Sequence, residues 1–366
     1  MPEPAPLLEL QSIARAFAFP GEVRTADRYG SGHINDTYRV ACAAARGAES
    51  LFILQRINHR IFKQPVALME NIRRATTHLG GKLAGRSDRS RRVLQLVPAR
   101  TGASCHQDAQ GGYWRAYLYI AQARTFDAVE SPAQARAAAR AFGRFQALLA
   151  DLPDPALHET IPDFHNTPKR YAAFEAAVSA DVAGRAALAR PEIEFARRRA
   201  AITRGLLDAG LPQRVTHNDT KLNNVLIDEM TGEGICVIDL DTLMPGLALY
   251  DFGDMVRTAT SPAVEDERDL SKVTMQFPMF EALVRGYLEE AGGFLTPAER
   301  GLLAFSGKLI TFEIGLRFLT DFLSGDVYFR VHREHHNLDR CRTQFRLVES
   351  IEEQEARMTR FVEDFG

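Results

Sequence analysis

Cysteine is scarce and solitary: the 366 residues hold four, Cys42, Cys105, Cys236 and Cys341. No C-x-x-C pair occurs among them, which argues against a zinc site or dithiol chemistry and fits a reducing compartment. Long apolar runs are missing as well, none approaching the roughly 20 residues that span a bilayer. The opening MPEPAPLLELQSIARAF lacks the basic start and apolar stretch of a signal peptide, so a cytoplasmic location is expected. Excess charge of either sign is absent: Lys+Arg total 45 against 47 Asp+Glu, a net charge of −2. Nothing therefore draws the chain to nucleic acid or to an anionic membrane. Arginines crowd Arg86–Arg92 and Arg197–Arg199, but no aromatic residues interleave, and solvated faces and loops account for them. There is no internal repeat, and no low-complexity tract beyond a short Ala/Arg-rich helix. What remains is ordinary soluble composition, 45% hydrophobic and 25% charged, at a length that favours two domains.

Up to about residue 120 the pattern is strands around one helix. Val23–Tyr29 and Asn35–Ala41 flank the small-residue turn Gly30-Ser31-Gly32-His33, where backbone N–H groups can approach a ligand. Leu51–Ile57 is a third strand. Pro65 stands where a helix would start and Gly80 where it would be capped. Between them Met69, Ile72, Thr76 and Leu79 share a stripe with Glu70 at its margin. Arg92–Val97 and Tyr113–Ile120 complete an expected five-stranded sheet. Beyond it the chain turns helical. Ser131-Pro132 opens a helix through Leu149, Pro191 and Gly210 bracket Glu192–Ala209, and Thr296–Glu299 reads as a capping box before a long helix to about Leu323. The domains expected are residues 1–121, a nucleotide-binding lobe, and 122–366, a catalytic and substrate-binding lobe, hinged near Ile120–Thr125 with the nucleotide in the cleft.

The densest chemistry lies in His217–Arg257. His217, Asp219 and Asn224 form H-x-D-x-x-x-x-N, and Asp239 follows after a β-rich stretch. Phosphoryl-transfer enzymes of the protein-kinase type present a base, a metal-binding amide and a metal-binding carboxylate in this order. Transfer to a hydroxyl needs a carboxylate to orient the acceptor and take its proton, a role for Asp219. Lys221 would reach the transferred phosphate, and His217 would brace the loop. Val225–Ile227 and Ile235–Leu240 read as a hairpin about Thr231-Gly232, which sets Asn224 opposite Asp239 as an all-oxygen Mg²⁺ site. Asp241, two residues on, is the alternative ligand. The literal Asp-Phe-Gly at 251–253 falls too far along the chain for that pairing and is expected to support the loop. Gly301–Lys308 misses a phosphate loop by its glycine spacing and by Leu309. Kinases carry a lysine on the third strand, paired with a helix glutamate. Here the cation at that point is Arg56, beside Gln55, with Glu70 as its expected partner.

These segments carry a family resemblance. HNDTKLNNVLID, VIDLDTLMPG and YDFGD resemble the aminoglycoside phosphotransferase and choline kinase superfamily. GSGHINDTYRV, LQRINHRIF, ARTFDA, DFHNTPKRY and GLRFLTDFLSGDVYF are most similar to its N-acetylhexosamine 1-kinases. The resemblance implies an α+β, protein-kinase-like two-lobed fold, with a small antiparallel β-sheet lobe carrying one helix and a larger, mainly helical lobe. It also implies ATP- and Mg²⁺-dependent phosphorylation of the anomeric hydroxyl of N-acetylglucosamine or N-acetylgalactosamine. Gly30, Ser31, Gly32, Arg56 and Glu70 would then hold the nucleotide and Asn224 and Asp239 the metal. Asp219 would be the base, and His33, Arg317 and Tyr328 would hold the sugar. Arg317 interrupts an otherwise apolar helix, where an unpaired charge is costly, so it is expected to face a partner or ligand. The same fold could instead take an aminoglycoside, choline, homoserine or another sugar. A degenerate kinase that binds nucleotide for regulation is the reading of a different class. Oligomeric state is not legible.

Overall fold

A computed structural model of the chain describes residues 7–30, 34–43 and 49–365. Helix α1 (Leu7–Ala14) leads into strands β1 (Val23–Arg28), β2 (Asp36–Ala43) and β3 (Glu49–Ile57). Helix α2 (Pro65–Lys82) follows, then a single turn α3 (Arg89–Arg92) and strands β4 (Leu96–Val97), β5 (His106–Gln107) and β6 (Tyr113–Leu118). The strands form one antiparallel sheet in the order β1-β2-β3-β6-β4, with β5 also on β6. It has six strands where five were expected. The expected strand Arg92–Val97 shrinks to β4 because Arg92 bridges back to Asp88, a helical i,i+4 spacing, and across to Glu233.

Side chains alternate across the strands, so each face of the sheet has its own cover. Tyr38, Val40, Phe52, Leu54 and Trp114 pack with α1. Ile53 and Ile57 face α2 and join the main core. Helix α2 starts at Pro65, whose missing N–H is no loss in a first turn. Its buried Asn71 donates to the carbonyls of His158 (2.8 Å) and Leu243 (3.0 Å) and accepts the His158 N–H (2.9 Å). The helix of the sheet lobe is thereby tied to two segments of the helical lobe.

After Gln122 the chain runs through β7 (Ala123–Arg124), α4 (Pro132–Leu149), α5 (Thr167–Ala180) and α6 (Arg190–Arg198). Then come β8 (Arg214–Thr216), β9 (Val225–Asp228), β10 (Gly234–Val237) and β11 (Met244–Gly246). Helices α7 (Ala248–Ala259), α8 (Phe277–Ala291), α9 (Pro297–Gly301), α10 (Leu303–Leu323) and α11 (His336–Phe365) complete the lobe. Ser131 caps α4 by accepting the Gln134 N–H, and Thr296 and Glu299 form the expected capping box. Two helices are shorter than expected. The one begun at Arg190 ends at Arg198 and tightens into a 3-10 turn, Ala200–Arg204, and the one after Thr296 breaks at Leu302. The architecture is the expected one, an antiparallel sheet lobe beside a mainly helical lobe. Among the described residues no helix is long and apolar enough to cross a membrane.

Candidate active site

The loop after β8 holds Asp219, and two buried carboxylates from α7 shape it. Asp251 accepts the backbone N–H groups of His217 (2.9 Å) and Asn218 (2.7 Å), and Gln146 donates to it as well. Asp254 accepts the N–H of Thr220 (2.8 Å) and holds Arg257 (2.8 Å). Asn218 adopts a left-handed backbone, φ 64°, and its side chain donates to the Thr242 carbonyl at 2.8 Å. His217 packs edge-on against Phe142 and reaches the Ile238 carbonyl at 2.9 Å. The Asp-Phe-Gly triplet is thus one turn of α7 under the loop, with Asp251 spent on the loop's N–H groups. Its glycine is required there by packing: a Cβ on Gly253 would stand 2.5 Å from the Ser306 carbonyl oxygen of α10.

Asp219 meets Lys221 Nζ at 2.8 Å and accepts from Asn224 Nδ2 at 3.1 Å, with its side chain 26% exposed. Enclosure by protein would raise the Asp219 carboxyl. The charge and hydrogen bond of Lys221, with His217 and Arg257 behind, hold it below the usual carboxylate value. Lys221 moves the opposite way, raised by Asp219 against its own desolvation. The Asn224 amide nitrogen also donates to the Asp219 carbonyl at 2.8 Å, so the amide oxygen is the atom that remains for a cation.

The hairpin forms, but its register is one residue off the expected one. Val237 pairs with Val225, the Ile238 N–H reaches the Asn224 carbonyl at 2.9 Å, and the ladder shifts between Gly234 and Cys236. Ile238, not Asp239, therefore opposes Asn224. Asp239 follows at the turn with φ 57° and opens to solvent. Crowding by protein, followed by the charges of Asp241 and Asp219, pushes its carboxyl up to about 6. Because this carboxyl keeps solvent contact, the mutual repulsion of the acids is the part that a bound cation would relieve. Among the described residues no three His, Cys, Asp or Glu side chains form a ready-made metal cage. An amide oxygen and a carboxylate suit Mg²⁺, which keeps water and substrate oxygens as its other ligands. Asp241, the alternative ligand, is committed elsewhere: one oxygen takes Arg115 and the other takes Asn35 Nδ2 at 2.6 Å.

Arg115 is the cation that the sequence reading missed. Gln55 donates to Thr37 at 2.9 Å and accepts from Arg115 Nε at 2.9 Å, so Thr37, Gln55 and Arg115 share the inner face of the sheet. By strand alternation Arg56 lies on the other face, 5.9 Å from the Trp114 ring and beside Asp108. The expected Arg56–Glu70 pair does not form. Glu70 instead bonds His158 at 3.0 Å on the surface. Arg115, 1% exposed and paired with Asp241, takes the interior position, and Asn71 rather than Glu70 fixes α2. A lone arginine inside the apolar run YWRAYL gives little signal, since nothing local announces its distant partner.

Of the remaining expected residues, Gly30 has φ 81°, while Ser31, Gly32 and His33 lie outside the described residues. Arg317 stands 5.2 Å from the Phe164 ring, 5.9 Å from Tyr328 and 5.7 Å from Phe329. The Tyr328 loop is held from beneath by Asp321, which accepts the N–H groups of Val327, Tyr328 and Phe329 at 2.8–2.9 Å. His165 joins this region to the loop, bonding Glu313 at 2.8 Å and the Asn218 carbonyl at 3.3 Å. A cavity of about 360 Å³ adjoins them, with Phe164, His165, Asn218, Gly246 and Tyr250 in its wall; Asp219 is not part of that wall.

A family profile described as the phosphotransferase enzyme family, APH, matches residues 25–300. Solved structures share the fold at low identity. An aminoglycoside phosphotransferase from Alicyclobacillus acidocaldarius is 12% identical with a TM-score of 0.65, over 99% of this chain and 98% of that one. A choline/ethanolamine kinase family protein from Mesorhizobium loti is 19% identical with a TM-score of 0.58, over 98% and 100%. A spectinomycin phosphotransferase bound to ADP and spectinomycin is 11% identical with a TM-score of 0.61, over 97% and 99%.

Proposed function

We propose, from the premise that this chain belongs to the phosphotransferase enzyme family, that it moves the γ-phosphoryl group of ATP to a hydroxyl of a small molecule, the anomeric hydroxyl of an N-acetylhexosamine. The observation that carries the reading is the setting of Asp219, partly exposed, paired with Lys221 at 2.8 Å and fixed by Asn224 on a loop that two buried carboxylates brace. The sugar is supported by the likeness of GSGHINDTYRV, DFHNTPKRY and GLRFLTDFLSGDVYF to N-acetylhexosamine 1-kinases.

In this reading the acceptor O–H donates to Asp219, which takes the proton as the acceptor oxygen bonds to the γ-phosphorus and the bond to the β-bridging oxygen breaks. Lys221, adjacent to that carboxylate, offsets charge on the group in transit. Asn224 and Asp239 would hold Mg²⁺, which when bound neutralises the phosphate oxygens. Arg115 and Asn35 occupy the two oxygens of Asp241 and hold it behind Asp239, leaving Asp239 to the cation. Gly30, whose φ is 81°, would lie near the nucleotide, and residues 1–121 and 122–366 would act as the two lobes that close on it.

The test is ADP release by the purified protein with Mg-ATP and a panel of N-acetylglucosamine, N-acetylgalactosamine, glucose, choline and kanamycin. Turnover on the acetylated amino sugars, with product phosphorus at the anomeric position, supports the proposal; turnover on choline or kanamycin alone refutes the sugar.

A further inference from the structure

The peptide group that leads from Asn218 into Asp219 is held at both ends by a histidine. His217 Nδ1 accepts the Asp219 N–H at 3.3 Å, which leaves its Nε2 to donate to the Ile238 carbonyl at 2.9 Å. At the other end His165 Nε2 donates to the Asn218 carbonyl at 3.3 Å, and among the described residues no other group bonds that oxygen. Asn218 has φ 64°, a backbone state that persists where its surroundings over-determine it. The His165 ring packs edge-on against Phe164 at 4.8 Å and tilted against Tyr250 at 5.0 Å. Its Nδ1 bonds Glu313 of α10 at 2.8 Å, and Thr167 at the start of α5 donates to the other oxygen of Glu313 at 2.6 Å. The side chains of His165 and Glu313 are 3% and 0% exposed. Burying such a pair is costly, and joining α5 to α10 does not require it, because Thr167 already makes that link. What His165 adds is a bond to the catalytic loop.

We infer that His165 is a positioning residue for Asp219: backed by Glu313, it fixes the plane of the peptide that carries the base. The two carboxylates of α7 cannot do this. Asp251 and Asp254 accept the N–H groups of residues 217, 218 and 220, and a carboxylate has nothing to offer a carbonyl. The Asn218 carbonyl needs a donor, and His165 supplies it from the opposite side, so the loop is aimed from α10 as well as from α7. Rotation of that peptide would swing the Asp219 carboxylate off the acceptor, and small misplacements of a reacting group are costly in rate. The inference rests on the reading of Asp219 as the base.

Two isosteres separate the two bonds of this ring. A glutamine places its amide nitrogen where Nε2 stands, so His165→Gln keeps the donor to the Asn218 carbonyl and gives up Glu313. An asparagine places its nitrogen where Nδ1 stands, so His165→Asn keeps Glu313 and gives up the loop. The experiment measures kcat and KM with Mg-ATP and N-acetylglucosamine for the wild type and both variants, after thermal melts establish that each folds. Hydrogen exchange of residues 217–221 in the ligand-free protein is run in parallel. His165→Asn should lose about 10–10²-fold in kcat with the KM for ATP within about threefold, and His165→Gln should stay within about threefold of wild type. Exchange in the loop should quicken about five- to tenfold in His165→Asn and remain near wild type in His165→Gln. A purely structural role would make kcat follow the melting temperature, with equal losses in the two variants or none in either. Either result overturns the inference, while turnover by the wild type leaves the proposed function standing. If the wild type turns over no acceptor, the kinase assignment falls on its own and exchange decides: faster exchange in His165→Asn alone upholds the hold on the loop. Equal or unchanged exchange then overturns it.

Discussion

At the scale of single residues, the two arginines of the sheet should separate cleanly. Arg115 and Asp241 are 1% and 3% exposed, and removing one partner of such a pair leaves the other charge uncompensated. Arg115→Met is expected to destabilise the fold by about 3–5 kcal/mol in urea melts. Arg56→Ala, which loses a contact with Trp114 on the outer face, should cost under about 1 kcal/mol. Equal losses would contradict the assignment of the interior cation to Arg115. Sequence made Asp219, Lys221 and Asn224 legible because their spacing sits inside one loop. It made Arg56 a false candidate because a strand pattern says which residues alternate, not which face looks inward. Asp239 was legible as a carboxylate but not as a turn residue, since the shift in the β10 ladder between Gly234 and Cys236 leaves no compositional mark.

Elements whose boundaries are fixed by local chemistry were read correctly, and elements fixed by distant partners were not. The α4 cap at Ser131 and the Thr296 capping box are bonds within four residues. The turn at Arg89–Arg92 depends on Glu233, far along the chain, and no window of sequence contains both. Helix α2 is the case with a functional consequence. A kinase-type helix is held to its sheet by an ion pair, whereas here Asn71 ties it to His158 and to Leu243, one residue past the turn that follows Asp239. Asn71→Ala leaves two carbonyls and an N–H without their partner, so a loss of about 1–3 kcal/mol is expected. Hydrogen exchange should localise the effect to α2, residues 153–158 and 243, and global acceleration without that focus would refute the coupling. The contact of α7 with α10 offers a second check. Gly253→Ala places a methyl against the Ser306 carbonyl and should cost about 1–3 kcal/mol, although Asp-Phe-Gly stays otherwise intact.

At the scale of the whole molecule, the sheet lobe and the helical lobe are tied by a charged lattice. Arg91 holds Asp228 at 2.7 Å and the carbonyls of Ala121 and Gln122, and Glu233 lies between Arg92 (2.9 Å) and Arg144 (3.0 Å). Arg92 first, then Arg144 against some desolvation, lowers the Glu233 carboxyl to about 2. A carboxyl depressed on folding contributes stability that is present above its unfolded value and lost as pH falls through the folded one. The contribution of Glu233 should therefore fade between about pH 4.5 and pH 2. With Glu233 30% exposed, solvent screening limits that contribution to about 1–2 kcal/mol. Glu233→Gln should flatten the acid limb of a stability profile across that window, and an unchanged acid limb would show that the lattice is decorative.

The catalytic claim reduces to one carboxyl group. In Asp219→Asn the side chain keeps its shape and its neighbours Lys221 and Asn224 but can no longer take a proton. The decisive measurement is kcat for Mg-ATP and N-acetylglucosamine in this variant, alongside the ATP dissociation constant. The account predicts a fall in kcat of about 10²–10⁴-fold with ATP affinity within about threefold of wild type. A kcat within a few-fold of wild type would contradict Asp219 as the base and with it the proposed mechanism.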